Sequence, residues 1–381
     1  MNVSRRNFLA ATTLSGAGVA WGRPAMAPAA ATAQPIGAIP PGARVLMPHR
    51  RTLGRGEAAM EVSSIGLGCM GMSFLRGTHP DRRACVALIR YAVEQGVTLF
   101  DTAEAYGPFE NESVVGEALE PFRGEIPLTT KIGFEYDGTR YVRVNAEPAV
   151  LRRALEASLR RMRTDCLDLV YIHRWDMMRP IEETAETMLA FKKEGKLRRW
   201  GLSEVGAGTL RRAHAVFPVT ALQSEFGLTW REPLTNGVMA ACADLGVGLV
   251  PFGPLGKGFL GGFVNEATVY VETPLDNRKT FPRYQPENLR ASLPLLAALE
   301  EFGKARGLTV PQLGLAWCLA KAPFVVPIPG TCRLSHLEED LRAASVTLSP
   351  EEVAALDRIA DAHPVVGDRY PPSEDARVDR D

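Results

Sequence analysis

The sequence predicts an α/β protein built as one (β/α)8 TIM barrel, and three observations carry that prediction. From Val62 onward, short apolar runs alternate with amphipathic segments, the pattern of strands joined by helices into a parallel sheet. Eight such units are present, the number that closes a barrel. Several runs end in polar residues, and strand ends converge on one face of a barrel.

The elements follow in order. Residues 63–70 read as the first strand and 83–95 as its helix; 98–103 and 111–119 form the second pair. Strand 127–132 precedes helix 148–162, whose apolar positions recur at helical spacing, and strand 167–173 precedes helix 181–193. Strands 199–203, 221–225 and 248–252 lead into helices 207–216, 235–245 and those within 289–321. Strand 324–328 and helix 335–344 complete the series. An open doubly wound sheet has the same alternation, so periodicity alone leaves it open. Its G-x-G-x-x-G turn is spelled by Gly66-Leu67-Gly68-Cys69-Met70-Gly71, yet no helix follows at once and no acid stands at the expected distance. We treat that match as accidental. At the start of the barrel domain (51–365), residues 51–60 are expected as a short hairpin over its bottom; residues 366–381 follow as a C-terminal tail, of which 369–381 is expected to be disordered.

Of the 381 residues 46% are hydrophobic, enough for a large core. Acidic and basic residues balance at 44 each, so no net field draws the chain to nucleic acid or an anionic membrane, and a small-molecule partner is expected. The six cysteines are scattered, with neither C-x-x-C nor zinc-like His spacing, so no metal and no disulfide framework is expected.

The N-terminus reads as an address. Ser4-Arg5-Arg6-Asn7-Phe8-Leu9, an apolar run from Ala10 to Trp21 and Ala/Pro-rich sequence resemble a twin-arginine export signal. The run falls short of the ~20 residues a membrane span needs, so no stable anchor is expected. Ala31-Thr32-Ala33 supplies the small-x-small pattern for cleavage, which makes 1–33 the signal and 34–50 a linker. Export through the twin-arginine machinery to the periplasm is the expectation.

Asp101, Tyr106, Lys131 and His173 stand at or just beyond strand ends. A free phenol titrates at ~10, and a neighbouring ammonium lowers that value. Lys131 would supply the charge, Asp101 would hold Lys131, and His173 would hydrogen-bond a substrate oxygen. Each residue alone has an ordinary reading: Asp101 a cap, Tyr106 a turn aromatic, Lys131 a solvated end, His173 a core histidine.

Asp101-Thr102-Ala103-Glu104-Ala105-Tyr106-Gly107 with Asn111-Glu112, Thr130-Lys131, and Asp168-Leu169-Val170-Tyr171-Ile172-His173 resemble the three signature regions of the aldo-keto reductases. The resemblance spans residues 51–361. It implies a (β/α)8 barrel, NADPH (NADP) as cofactor, a carbonyl substrate, and the tetrad Asp101, Tyr106, Lys131 and His173. By the same resemblance Ser203 and Gln223 contact the nicotinamide amide, while Glu204 stands where Asn is more frequent. Phe252 takes the place of a stacking Tyr, and Gly253, Leu255, Gly256 and Lys257 follow in the loop that holds the pyrophosphate. Gly330, Arg333, His336, Glu339 and Asp340 fall in the adenosine segment, where Arg333 is the cation expected to read a 2′-phosphate. Glu338, Glu339 and Asp340 are expected to face adenine, Asp340 standing for an Asn and accepting without donating.

Two other readings stay open: an NADP-binding redox-sensing regulatory module, and an alcohol or sugar dehydrogenase running in reverse. Met70, Met72, Phe74, Trp175 and Trp230 are candidates for an apolar pocket wall.

Overall fold

The eight strands close on themselves. The computed structural model describes residues 46–75, 79–268 and 276–381; the segment read as an export signal lies outside them, as does most of the linker. A hairpin of β1 (Arg50–Leu53) and β2 (Met60–Ser63) comes first. The barrel follows as β3 (Leu67–Gly68), β4 (Phe100–Asp101) and β5 (Thr129–Ile132). An inserted hairpin of β6 (Phe134–Asp137) and β7 (Arg140–Val144) interrupts it, and β8 (Leu167–Ile172), β9 (Leu197–Ser203), β10 (Ala221–Glu225) and β11 (Gly248–Phe252) continue it. β5, β8, β9, β10 and β11 form a continuous parallel sheet.

Residues 324–330 shut the ring. On one side Val326 N–H and Ile328 N–H donate to Leu249 and Pro251 carbonyls; on the other, Gly66 and Gly68 N–H donate to Pro327 and Pro329. Those two prolines lack an N–H, so the seam towards β3 is bonded in one direction only. β3 pairs in turn with β4. Gly66 and Gly68 have no room for a Cβ, which would stand 2.8 Å from the Leu99 carbonyl oxygen and 3.0 Å from that of Ile328. Their glycines serve strand packing, as expected for an accidental nucleotide motif.

Helices α1 (Arg82–Glu94), α2 (Glu110–Leu119), α3 (Pro148–Arg161), α4 (Ile181–Lys193), α5 (Ala207–Val216) and α6 (Val238–Leu245) follow the successive barrel strands. β11 is followed by α7 (Pro286–Lys304) and α8 (Val310–Lys321), and the closing strand by α9 (Leu334–Arg342). Each start has a local cause where a cap is present: the Asp81 carboxylate accepts from Ala84 N–H, and Thr309 and Gln312 form a capping box. α10 (Pro350–Ala362), capped by Ser349 and Glu352, and α11 (Pro372–Asp375) lie beyond the predicted series.

Two apolar layers result. Leu99, Leu169, Tyr171, Ala221, Val250, Val326 and Ile328 fill the barrel, and Leu53, Met60 and Val62 of the first hairpin join the same cluster. That hairpin plugs the N-terminal end of the strands, as expected, since Leu53 packs on Gly248 and Ala58 accepts from the Thr220 hydroxyl. A larger cluster lies between strands and helices. The end of the linker belongs to the fold: Met47 is fully buried and donates its N–H to Gln95.

Candidate active site

β4 and β5 end side by side, and their last polar residues meet. Lys131 Nζ lies 2.6 Å from Asp101 Oδ1 and 2.8 Å from the Thr102 carbonyl, with only 1% of the lysine exposed. The same ammonium sits 4.7 Å from the centroid of the buried Tyr106 ring. The Tyr106 and His173 rings meet edge to face at 5.8 Å. The four residues read from the sequence as a set therefore share one site on the C-terminal face.

Their charges are set by burial and by one another. Burial works against charge on Lys131, but Asp101 and Tyr106 outweigh it and hold its pKa above the ordinary value. For Tyr106 burial prevails and the phenol is raised, with Lys131 pulling it back. The expectation of a lowered phenol is corrected to that extent. Burial, then Lys131 and Arg174, hold His173 well below its usual range, which leaves a neutral imidazole. Its Nδ1 is buried without a hydrogen-bond partner among the described residues.

Residues the sequence reading passed over hold this set in place. Glu104 Oε1 accepts the N–H groups of Gly133 (2.9 Å) and Phe134 (3.1 Å), and its own N–H donates to Lys131. Burial raises the Glu104 carboxyl to about 8. Phe134 stacks on His173 at 4.7 Å, and Phe74 on Tyr106 at 6.0 Å. Met70 and Tyr136 also pack around Tyr106. Of the five apolar candidates, Met70 and Phe74 reach this wall, whereas Met72 is core. Trp175 lines a neighbouring cavity, and Trp230 is held between Arg283 and Arg369 at 5.1 Å each.

The C-terminal tail is ordered, contrary to the sequence expectation. Arg369 is buried and ion-paired to Glu204 and Glu225; Lys257 (2.6 Å) and Arg283 (3.4 Å) also reach Glu225. Downstream, Asp379 accepts from Gly206 N–H, Asp379 N–H donates to Glu204, and Gly208 N–H donates to Asp381. A composition rich in charge and proline reads as unable to pack. Here Arg369 is matched against two buried acids, Glu204 and Glu225, that local sequence does not reveal.

The positions read as cofactor contacts occupy the rest of this face. Ser203 and Gln223, both buried, are opposite one another on β9 and β10. Arg174 donates to the Ser203 hydroxyl, and Gln223 Nε2 donates to Asp101 Oδ2 at 2.7 Å. Phe252 ends β11 and packs on the barrel core. Gly253 and Gly256 both have φ near +58°, and a Cβ on Gly256 would stand 2.9 Å from Thr229. At Gly256 backbone and space together call for glycine. Leu255 N-caps the short turn at 256–258. Lys257, expected to serve phosphate, is buried against Glu225, so its charge is already engaged.

At the closing strand, Gly330 lies against Gly68, and Arg333 is exposed at the start of α9 over the Phe263 ring. His336 also meets Phe263 at 5.0 Å; burial and Arg333 lower its pKa, so it adds no second cation. Glu338 accepts from the Tyr91 hydroxyl (2.6 Å) and pairs with Arg342, while Glu339 is half-buried. Burial, with Glu339 adding to it, raises buried Asp340 well above the carboxylate range.

A family model described as the aldo/keto reductase family matches residues 64–361, most of the chain and all eight barrel strands. The chain belongs to the aldo/keto reductase family. It is 36% identical over 316 residues to "Probable aldo-keto reductase 1" of Glycine max, covering 83% of this chain and 90% of that one. Among solved structures, a glycerol dehydrogenase from Gluconobacter oxydans superposes with a TM-score of 0.74 at 26% identity, over 84% of this chain and 98% of the other. An aldo/keto reductase from Klebsiella pneumoniae, solved with NADP and acetate, gives 0.63 at 28% identity over 84% and 99%. In this aldo/keto reductase, Glu204 adopts φ +57°, the left-handed region that Asn tolerates better than Glu. The ion pair with Arg369 accompanies that departure.

Proposed function

We propose that this aldo/keto reductase reduces aldehydes or ketones to alcohols with NADPH, and that Tyr106 is the proton donor. The observation that carries the reading is the buried Lys131 ammonium, fixed by Asp101 and set against the Tyr106 ring. A buried phenol stays protonated until a substrate oxygen needs its proton, and the adjacent cation stabilises the phenolate left behind. Neutral His173, across from Tyr106, is suited to donate a hydrogen bond to the same oxygen.

The residues fit the cofactor. Ser203 and Gln223 would hold the nicotinamide amide, Phe252 would stack on the ring, and the backbone of Gly253, Leu255 and Gly256 would take the diphosphate. Arg333, exposed at a helix start, would read the 2′-phosphate, with Gly330, His336, Glu339 and Asp340 around the adenosine. When bound, NADPH supplies the hydride that the carbonyl carbon receives.

Mixing the purified protein with NADPH and a panel of carbonyl compounds should oxidise cofactor in step with alcohol formed, faster than with NADH. Binding of NADPH without any turnover would favour the regulatory reading, and NADP reduction by polyols alone would favour the dehydrogenase. The N-terminal segment is proposed to send the enzyme to the periplasm by the twin-arginine route, trimmed before Gln34. Replacing Arg5 and Arg6 with Lys should then hold it in the cytoplasm of a bacterial host, and equal export would refute the address.

A further inference from the structure

The Ser203 hydroxyl accepts from a cation that no acid balances. Arg174 comes directly after His173, beyond the end of β8, and is half-buried. Its Nη1 donates to the His173 carbonyl at 2.9 Å and to Ser203 Oγ at 3.2 Å. No carboxylate among the described residues pairs with this guanidinium. The acids next to Ser203 are engaged with other partners: Asp101 with Lys131, Glu204 with Arg369, and Glu225 with Lys257, Arg283 and Arg369. A cation held partly out of water without a counter-ion is unfavourable in itself, and its field acts on whatever binds beside it.

That field reaches the reacting groups. After burial and Lys131, Arg174 is the next cause that holds His173 low, and at Tyr106 it joins Lys131 against burial. Through Ser203 it also meets the place proposed for the nicotinamide amide. An Oγ that accepts from Arg174 keeps its own hydrogen for another acceptor, and Gln223, whose Nε2 donates to Asp101, has its amide oxygen left to accept. One donor and one acceptor on paired strands suit the two ends of a carboxamide. The ring attached to that carboxamide is neutral in NADPH and cationic in NADP+, so an unbalanced cation nearby disfavours the oxidised form alone.

We infer that Arg174 makes the enzyme read the redox state of its nucleotide, binding NADPH in preference to NADP+. Where both nucleotides are present the reduced one then occupies the site, which favours carbonyl reduction over alcohol oxidation. The 2′-phosphate, diphosphate and adenosine are the same in the two forms, so their contacts do not contribute to this choice. The inference rests on the proposed reductase reading, in which Ser203 holds the nicotinamide amide.

The test is calorimetric titration of the purified protein with NADPH and with NADP+, read as the ratio of the two Kd values. The wild type should bind NADPH more tightly. Arg174→Gln, neutral yet still able to donate to Ser203, and Arg174→Met should each lower the preference ~3-fold or more, the effect of removing one partly screened charge. Arg174→Lys should keep most of it. A merely structural role for Arg174 would weaken both nucleotides together and leave the ratio where it was. A wild type that binds the two forms equally, a ratio unchanged in the neutral variants, or one lowered as much by Arg174→Lys overturns this inference and leaves the reductase reading standing. Binding of neither nucleotide by the wild type overturns both.

Discussion

Glu104 ties the backbone that carries the site. Its carboxyl ties the Gly133 and Phe134 N–H groups at the end of β5, and Phe134 in turn covers His173. Because burial lifts its pKa to about 8, well above the ~4.3 of a free glutamate, the folded state holds this proton more tightly than the unfolded chain. The stability it contributes is full in acid and is lost as pH rises through about 8. Glu104→Gln, which imitates the protonated form, should therefore narrow the difference between urea midpoints measured at pH 6 and pH 9. An unchanged difference would show that Glu104 does not titrate in that window. Asp340 on α9 shifts in the same direction, raised by burial with Glu339 adding to it.

Among elements, the tail was the least legible and the barrel strands the most. α4, α5, β10 and β11 have the bounds their periodicity predicts, because alternating apolar runs state their own burial. The closing strand was read from its apolar run, yet it forms isolated bridges, Leu249 to Val325 and Gly68 to Gly330, in place of a regular ladder, and its two prolines return no N–H to β3. The β6–β7 hairpin was missed because charged residues alternate with its aromatics and it stands on the rim. The tail was misread because its order comes from partners far away in sequence: Glu204, Glu225 and the glycines at 206 and 208. Arg369→Ala should leave Glu204 buried and unpaired, a loss of ~3 to 5 kcal/mol for such pairs, and adding Glu204→Gln should recover part of it. Additive losses in urea unfolding would mean the two charges do not support each other.

For the molecule as a whole, the tetrad was legible because its four residues occur in order at strand ends, and the barrel brings those ends together. What the sequence could not state was the balance of burial against charge. That balance raises Tyr106, neutralises His173 and sets Lys257 against Glu225. These follow from depth, which only the closed barrel supplies. The central claim is that Tyr106 delivers the proton, and it is tested most directly by steady-state turnover of Tyr106→Phe beside its NADPH affinity. The account predicts a kcat lower by ~10²-fold or more with NADPH bound as tightly as before, since one hydroxyl and almost no packing is removed. Turnover at the wild-type rate would contradict it.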